Sequence, residues 1–93
     1  MKWIVATPSR DLSRHTTKNA AFKKALSYIR RGIGRRNLDV YGVKSLQSPD
    51  SSIGIGYRIE ETYDIRIRDG VVVAQKYRGD GSSIGRRIYL GEA

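Results

Sequence analysis

The chain has no cysteine and only one histidine, His15, in 93 residues. Without cysteine there is no disulfide framework, no thiolate metal site and no cysteine nucleophile. A zinc centre is excluded on the same grounds, because it needs several convergent ligands and a single imidazole supplies one. We therefore expect no metal and no cofactor, and the sequence is compatible with a reducing compartment.

Long hydrophobic runs are also missing. The apolar run near the amino terminus is four residues long, from Trp3 to Ala6. That is too short for a signal-peptide core or a membrane span, so we expect a cytoplasmic protein. With 39% apolar and 29% charged residues, the composition is typical of a globular protein, and the length predicts a single domain.

Acidic residues are scarce in the first half of the chain. Residues 1–46 contain eleven lysines and arginines against two aspartates, a net charge of +9, whereas residues 47–93 contain seven residues of each sign. The segment from Arg10 to Arg36 alone holds nine basic residues and one acid. A basic segment beside a balanced one is typical of proteins that bind polyanions.

One segment has the apolar spacing of an amphipathic helix, with one face formed by Phe22, Ala25, Leu26, Ile29 and Ile33. Thr17 or Asn19 can cap its first turn, and Gly32 and Gly34 are stop signals. We predict a helix over residues 19–34. A short strand over residues 2–6 and a polar loop over residues 9–17 are predicted to precede it.

Residues 38–91 predict an antiparallel sheet. From residue 53 to residue 67 every odd position except Glu61 is apolar, which is the period of a strand. An unbroken strand of that length would span about 50 Å, so we expect it to bend or reverse at Glu60-Glu61-Thr62. That bend would keep Ile59 and Tyr63 on one face. Residues 47–52 predict a turn.

A second turn is predicted at Asp69-Gly70, within a three-residue loop that begins at Arg68. The fold class is therefore α+β, with one amphipathic helix packed on an antiparallel sheet of four to five strands. The helix is expected to cover the sheet face that carries Ile55, Ile59, Ile65, Ile67, Val71 and Val73.

The outer face of the predicted helix and the loop after it form the first candidate site, which consists of Lys23, Lys24, Arg30, Arg31, Arg35 and Arg36. Exposed helix faces usually mix in glutamate, but this helix contains no acid. The loop before the helix adds Arg10, Arg14 and Lys18, either as a basic arm that orders on a nucleic acid or as a solubilising segment. Together these cations predict contacts to a phosphate backbone.

Five arginines of the sheet form a second candidate site, together with Tyr89. They are Arg58, Arg66, Arg68, Arg86 and Arg87. Arginines beside stacking aromatics can bind single-stranded nucleic acid. Glu60 and Asp64 are predicted on the same face, however, and cross-strand ion pairs are the favoured interpretation.

The function that these features predict is nucleic-acid binding without catalysis. One alternative is a small inhibitor or adaptor of the kind found in phage and mobile elements, which would dock on the acidic surface of a protein in a nucleic-acid-handling complex. Another is a small ribonuclease or toxin-like domain, for which His15, Glu60 or Glu61, and Arg66 or Arg86 supply a base, an acid and a cation. Those residues form no motif.

Overall fold

The computed structural model describes residues 1–47 and 55–93. Over these residues the chain forms one helix and six strands, which are β1 (Lys2–Thr7), β2 (Arg10–His15), α1 (Lys18–Arg30), β3 (Leu38–Gln47), β4 (Ile55–Arg68), β5 (Val71–Tyr77) and β6 (Ser83–Glu92). The strands form one sheet in the order β2-β1-β3-β4-β5-β6, and all neighbours are antiparallel. The predicted α+β class, with a helix on an antiparallel sheet, is confirmed.

The prediction of four to five strands is wrong because the segment before the helix is a strand rather than a loop. Residues 10–15 form β2, which pairs with β1 at the edge of the sheet. Its side chains are polar except for Leu12, so the segment lacks the apolar alternation that identifies a strand. Polar side chains on an edge strand prevent unwanted pairing with other chains, and they also hide the strand from sequence analysis.

The helix is shorter than predicted and ends at Arg30. At its start, the Thr17 hydroxyl accepts a hydrogen bond from the amide of Ala20 at 3.2 Å. At its end, Gly32 has a φ of 81°, the amide of Ile33 donates to the carbonyl of Tyr28 at 2.8 Å, and that of Gly32 to Ile29 at 3.0 Å. This Schellman arrangement ends the helix before Ile33, which still packs against the core.

The core lies between the helix and one face of the sheet. The helix contributes Ala21, Phe22, Ala25, Tyr28 and Ile29, and the sheet contributes Trp3, Val5, Leu38, Val40, Tyr63, Ile65, Val72 and Ala74. Phe22 meets the ring of Tyr63 edge-on at 5.1 Å between centroids. Ile65 and Ile67 lie on the sheet face that the helix covers, as predicted. The prediction is wrong for Val71 and Val73, whose side chains lie on the face without the helix.

Strand β4 does not reverse at Glu60-Glu61-Thr62, so the predicted connection there is wrong, but an irregularity does lie at that place. Fourteen residues continue as one strand of roughly 46 Å, which fits because the molecule is 49 Å long. The break in the pattern is a β-bulge: Gly42 pairs with Glu61 but Val43 pairs with Ile59, which leaves Glu60 as the extra residue. The bulge puts Ile59 and Tyr63 on opposite faces, and Ile59 is 58% exposed.

The Asp69-Gly70 turn is a two-residue hairpin, not the predicted three-residue loop. Arg68 pairs directly with Val71, and both turn residues have positive φ, 52° and 78°. These angles match the turn that Asp-Gly favours between twisted strands.

The predicted turn over residues 47–52 lies outside the described residues from Ser48 onward, as do the side chains of Ile55 and Tyr57.

Candidate nucleic-acid interface

The outer surface of α1 and the loop after it carry six cations, which we call the helix cations: Lys23, Lys24, Arg30, Arg31, Arg35 and Arg36. All are exposed except Lys24, which is half-buried. They point outward because the opposite face of the helix is buried on the sheet. The first turn of the helix contains no acid, and neither does the rest of it.

The spacing of these cations suits a phosphate backbone. Lys23 and Arg30 are seven residues apart, which is two turns or about 10 Å along the helix axis. One strand of a duplex carries a phosphate every 3.4 Å or so along its axis, so about three phosphates fall within that distance. The helix therefore presents positive charge at a density that can follow a nucleic-acid strand.

Three helix cations also make contacts within the protein. The ammonium of Lys24 lies 5.2 Å from the ring centroid of Tyr28. Arg30 Nε donates to the backbone carbonyl of Glu92 at 2.9 Å, and Arg35 Nε donates to the carbonyl of Ile29 at 3.2 Å. Each of these arginine contacts uses one of five N–H donors, so both guanidiniums keep donors for an outside anion.

None of the nine predicted site cations forms an ion pair with a carboxylate within residues 1–47 and 55–93. The three ion pairs found there are Arg58–Glu60, Arg66–Asp64 and Lys76–Glu61, and all belong to β4 and β5. Where the structure describes the chain, the positive charge of the first half is therefore not neutralised by acids of the second half.

Lys18 is turned inward. Its Nζ lies 3.3 Å from the Tyr63 hydroxyl and 5.7 Å from the ring centroid of Trp3. The side chain is half-buried at the edge of the core, where it covers both aromatic rings. Lys18 therefore does not belong to the outward-facing surface formed by the helix cations.

The two arginines of β2 lie on different sides of the molecule, within a paired strand and not in a basic arm. Arg10 pairs with Thr7 beside the turn at Pro8-Ser9. That turn faces Arg35 and Arg36 across a shallow hollow of about 550 Å³, so Arg10 is close to the helix cations. Arg14 lines a groove on the opposite face, the one without the helix.

The sheet arginines do not share one face, because the bulge at Glu60 intervenes. Arg58 is on the helix side and donates from Nε to Glu60 at 2.8 Å. Arg66 is on the face without the helix and pairs with Asp64. These two arginines do pair with the two carboxylates, but the predicted cross-strand pairing is wrong, because each pair joins residues two apart on β4.

A second carboxylate lies directly opposite Asp64, because Asp39 is its partner across β3 and β4. Burial raises the pKa of Asp39 above its ordinary value of 3.8, and the charge of Asp64 raises it further. The Tyr41 hydroxyl donates to Asp39 at 3.2 Å and partly opposes this shift. Burial and the neighbouring Asp39 also raise the pKa of Tyr41.

His15 and Glu61, two of the residues named for the ribonuclease alternative, are far apart. His15 Nε2 is 2.7 Å from the hydroxyl of Ser13 on the same strand. Glu61 lies in the same cross-strand row as His15, but Trp3 and Gly42 stand between them. Three strand spacings, about 14 Å, separate the two backbones.

No helix in the described residues has the length and apolar composition needed to span a membrane. No protein-family model, curated protein or solved structure matches the chain.

Proposed function

We propose that the protein binds the phosphate backbone of a nucleic acid through the helix cations, with Arg10 at the edge of the same surface, and does so in the cytoplasm. The observation that carries the proposal is a helix without acids, whose cations have no carboxylate partner among the described residues. A phosphate backbone is the dense polyanion whose charge spacing fits them.

The driving force is the release of counterions from the nucleic acid, so affinity must fall steeply with salt. Six phosphate contacts give a slope of about −5 in a plot of log affinity against log salt concentration. Affinity is then expected to fall about a thousandfold between 50 and 200 mM salt. Phosphate contacts carry no sequence information, and we therefore expect weak base preference.

The decisive experiment measures fluorescence anisotropy of labelled DNA and RNA, single- and double-stranded, across this salt range. The test variant is Lys23/Lys24/Arg31/Arg36→Gln, which spares Arg30 and Arg35 because these two hold the helix end to its surroundings. Glutamine preserves helix propensity. With two of the six helix cations left, and Arg10 at the edge, the slope should fall to between about −2 and −3 and the loss across the range to roughly ten- to fortyfold.

A matched control removes the same total charge elsewhere. Lys2, Lys44, Arg78 and Arg86 are all exposed, and none is in an ion pair among the described residues. The Lys2/Lys44/Arg78/Arg86→Gln variant should keep most of the salt slope. Equal slopes for the two variants would mean that only net charge matters, and a wild-type affinity that ignores salt would overturn the proposal.

The competing hypothesis is an acidic protein partner that meets the same cations. Pull-down from lysate with and without nuclease separates the two, because a nucleic acid bound at this surface disappears after digestion. A stoichiometric protein that survives nuclease treatment, and that the test variant fails to retain, would replace the nucleic-acid proposal with that of an inhibitor or adaptor.

A further inference from the structure

A separate cationic hollow lies on the sheet face opposite the helix, between β4, β5 and β6. Arg66, Arg68 and Arg87 line it, together with the hydroxyl-bearing side chains of Tyr77 and Ser83. Its volume is about 100 Å³, room for roughly three water molecules, whereas sites for drug-sized ligands need about 300 Å³ or more. We propose that this hollow binds a single phosphate group.

The strand register explains why these arginines converge. Arg66 and Arg68 are two residues apart on β4, so they share a face, and they pair with Val73 and Val71 of β5. Val73 is 9% exposed and forms an apolar floor between β4 and β6. Arg87 reaches the same hollow from the other side, on β6.

A bulge in β6 positions Arg87. Ala74 pairs with Ile88 and Lys76 with Ile84, so three residues of β6 stand opposite Gln75 alone. The side-chain amide of Gln75 donates to the carbonyls of Ile84 and Gly85 at 3.1 and 3.3 Å. Gln75 is thus a positioning residue, because it ties down the bulge from which Arg87 projects.

The charge balance of the hollow favours an anion. Asp64 is the one carboxylate in its lining and is paired with Arg66 through Nε, which leaves the terminal nitrogens of that guanidinium free to donate. Asp39 lies beside Asp64 on β3, so three guanidiniums face at most two carboxylates. Arg68 and Arg87 have no carboxylate partner among the described residues. An oxyanion would relieve the repulsion between guanidiniums and accept bonds from planar donor groups that suit phosphate geometry.

This inference does not depend on the helix cations, which lie on the other side of the sheet. The experiment is an NMR titration of the ¹⁵N-labelled protein with inorganic phosphate, a nucleoside monophosphate and a short single-stranded oligonucleotide. Shifts at the amides of Val73, Gln75 and Arg87 are expected with phosphate-bearing probes. No shift there with any probe would overturn the inference.

The pattern of shifts separates this inference from the proposed function. Oligonucleotide shifts at α1 would support the proposed function and their absence there would overturn it, whatever happens at the hollow. Oligonucleotide shifts confined to α1, together with inorganic-phosphate shifts at the hollow, would assign the hollow to a free phosphate or nucleotide. If the oligonucleotide saturates the hollow at a lower concentration than inorganic phosphate does, the phosphate group belongs to a nucleic-acid strand, and equal saturation assigns it to a free phosphate or nucleotide.

Variants that are expected to change phosphate affinity in opposite directions make the test sharper. Arg68/Arg87→Gln should weaken phosphate binding at the hollow at least about tenfold, since it removes two charge-assisted donors. Asp64→Asn removes the opposing anion and frees Arg66, so it should tighten binding several-fold. Asp11→Asn is the control, because it changes net charge equally but lies on β2, three strands from β4. Equal effects of the two aspartate variants would overturn the inference.

Discussion

Gly42 of β3 is the position where adding one methyl group should cost the fold most clearly. A Cβ there would lie 2.7 and 2.8 Å from Cζ3 and Cη2 of Trp3, closer than side chains approach one another. Trp3 is only 7% exposed, and its ring packs beside the Tyr63 ring, with the Lys18 ammonium over both. The indole therefore has little room to move away from a new methyl group.

The expected magnitude follows from two opposing effects. Overpacking a filled core costs about 1–3 kcal/mol, and replacing glycine by alanine regains about 0.4–1 kcal/mol by restricting the unfolded chain. The net loss for Gly42→Ala is then roughly 1–2 kcal/mol. In a domain of this size that lowers the Tm by roughly 4–16 °C.

Thermal unfolding followed by circular dichroism measures the effect, and Gly79→Ala is the matched control. Gly79 has open space around its Cβ position and no positive φ, so the control should keep or raise the Tm. In a Trp3→Leu background, Gly42→Ala should cost less, by about 1 kcal/mol. An unchanged Tm in Gly42→Ala, or the same loss in both backgrounds, would refute the assigned contact.

Three further predictions concern other parts of the fold. Thr17→Ala removes the helix cap and should cost about 1 kcal/mol in urea unfolding, whereas Thr16→Ala, at the exposed neighbour, should have little effect. Ile59→Ala should change stability by no more than about 0.5 kcal/mol, whereas Ile65→Ala, at a fully buried position, should cost about 2–5 kcal/mol. The folded-state pKa of Asp39 is raised above 3.8, so ionised Asp39 destabilises the fold at neutral pH and the penalty vanishes below pH 3.8. Asp39→Asn should therefore raise the Tm at pH 7, with a gain that fades as the pH approaches 3.8, and a gain independent of pH would contradict this.

The sequence predicted those elements whose residue pattern along the chain agrees with their pairing in the folded sheet, and it failed where the two differ. The helix, its Thr17 cap and the Asp69-Gly70 turn are set by neighbouring residues, so the sequence located the helix and the turn and gave Thr17 as one of two cap candidates, although it made the helix and the turn loop too long. Strand β2 was missed because an edge strand needs no apolar face. Glu61 marks the place of the bulge by breaking the apolar row, but the odd positions stay apolar on both sides of it. The alternation therefore does not show that the extra residue, Glu60, changes the face, and Ile59 was assigned to the wrong face.

The two proposed anion sites also differ in this respect, because spacing along the chain creates one and strand pairing creates the other. On a strand, residues two apart share a face, so Arg58 with Glu60 and Asp64 with Arg66 pair as soon as the strand forms. On the helix, a cation needs an acid three or four residues away to be paired in this way, and the helix has none. The unpaired cations of the helix can therefore be read from the sequence. The hollow opposite the helix cannot, because Arg87 joins Arg66 and Arg68 only through strand pairing and the β6 bulge that Gln75 holds, which spacing along the chain does not show.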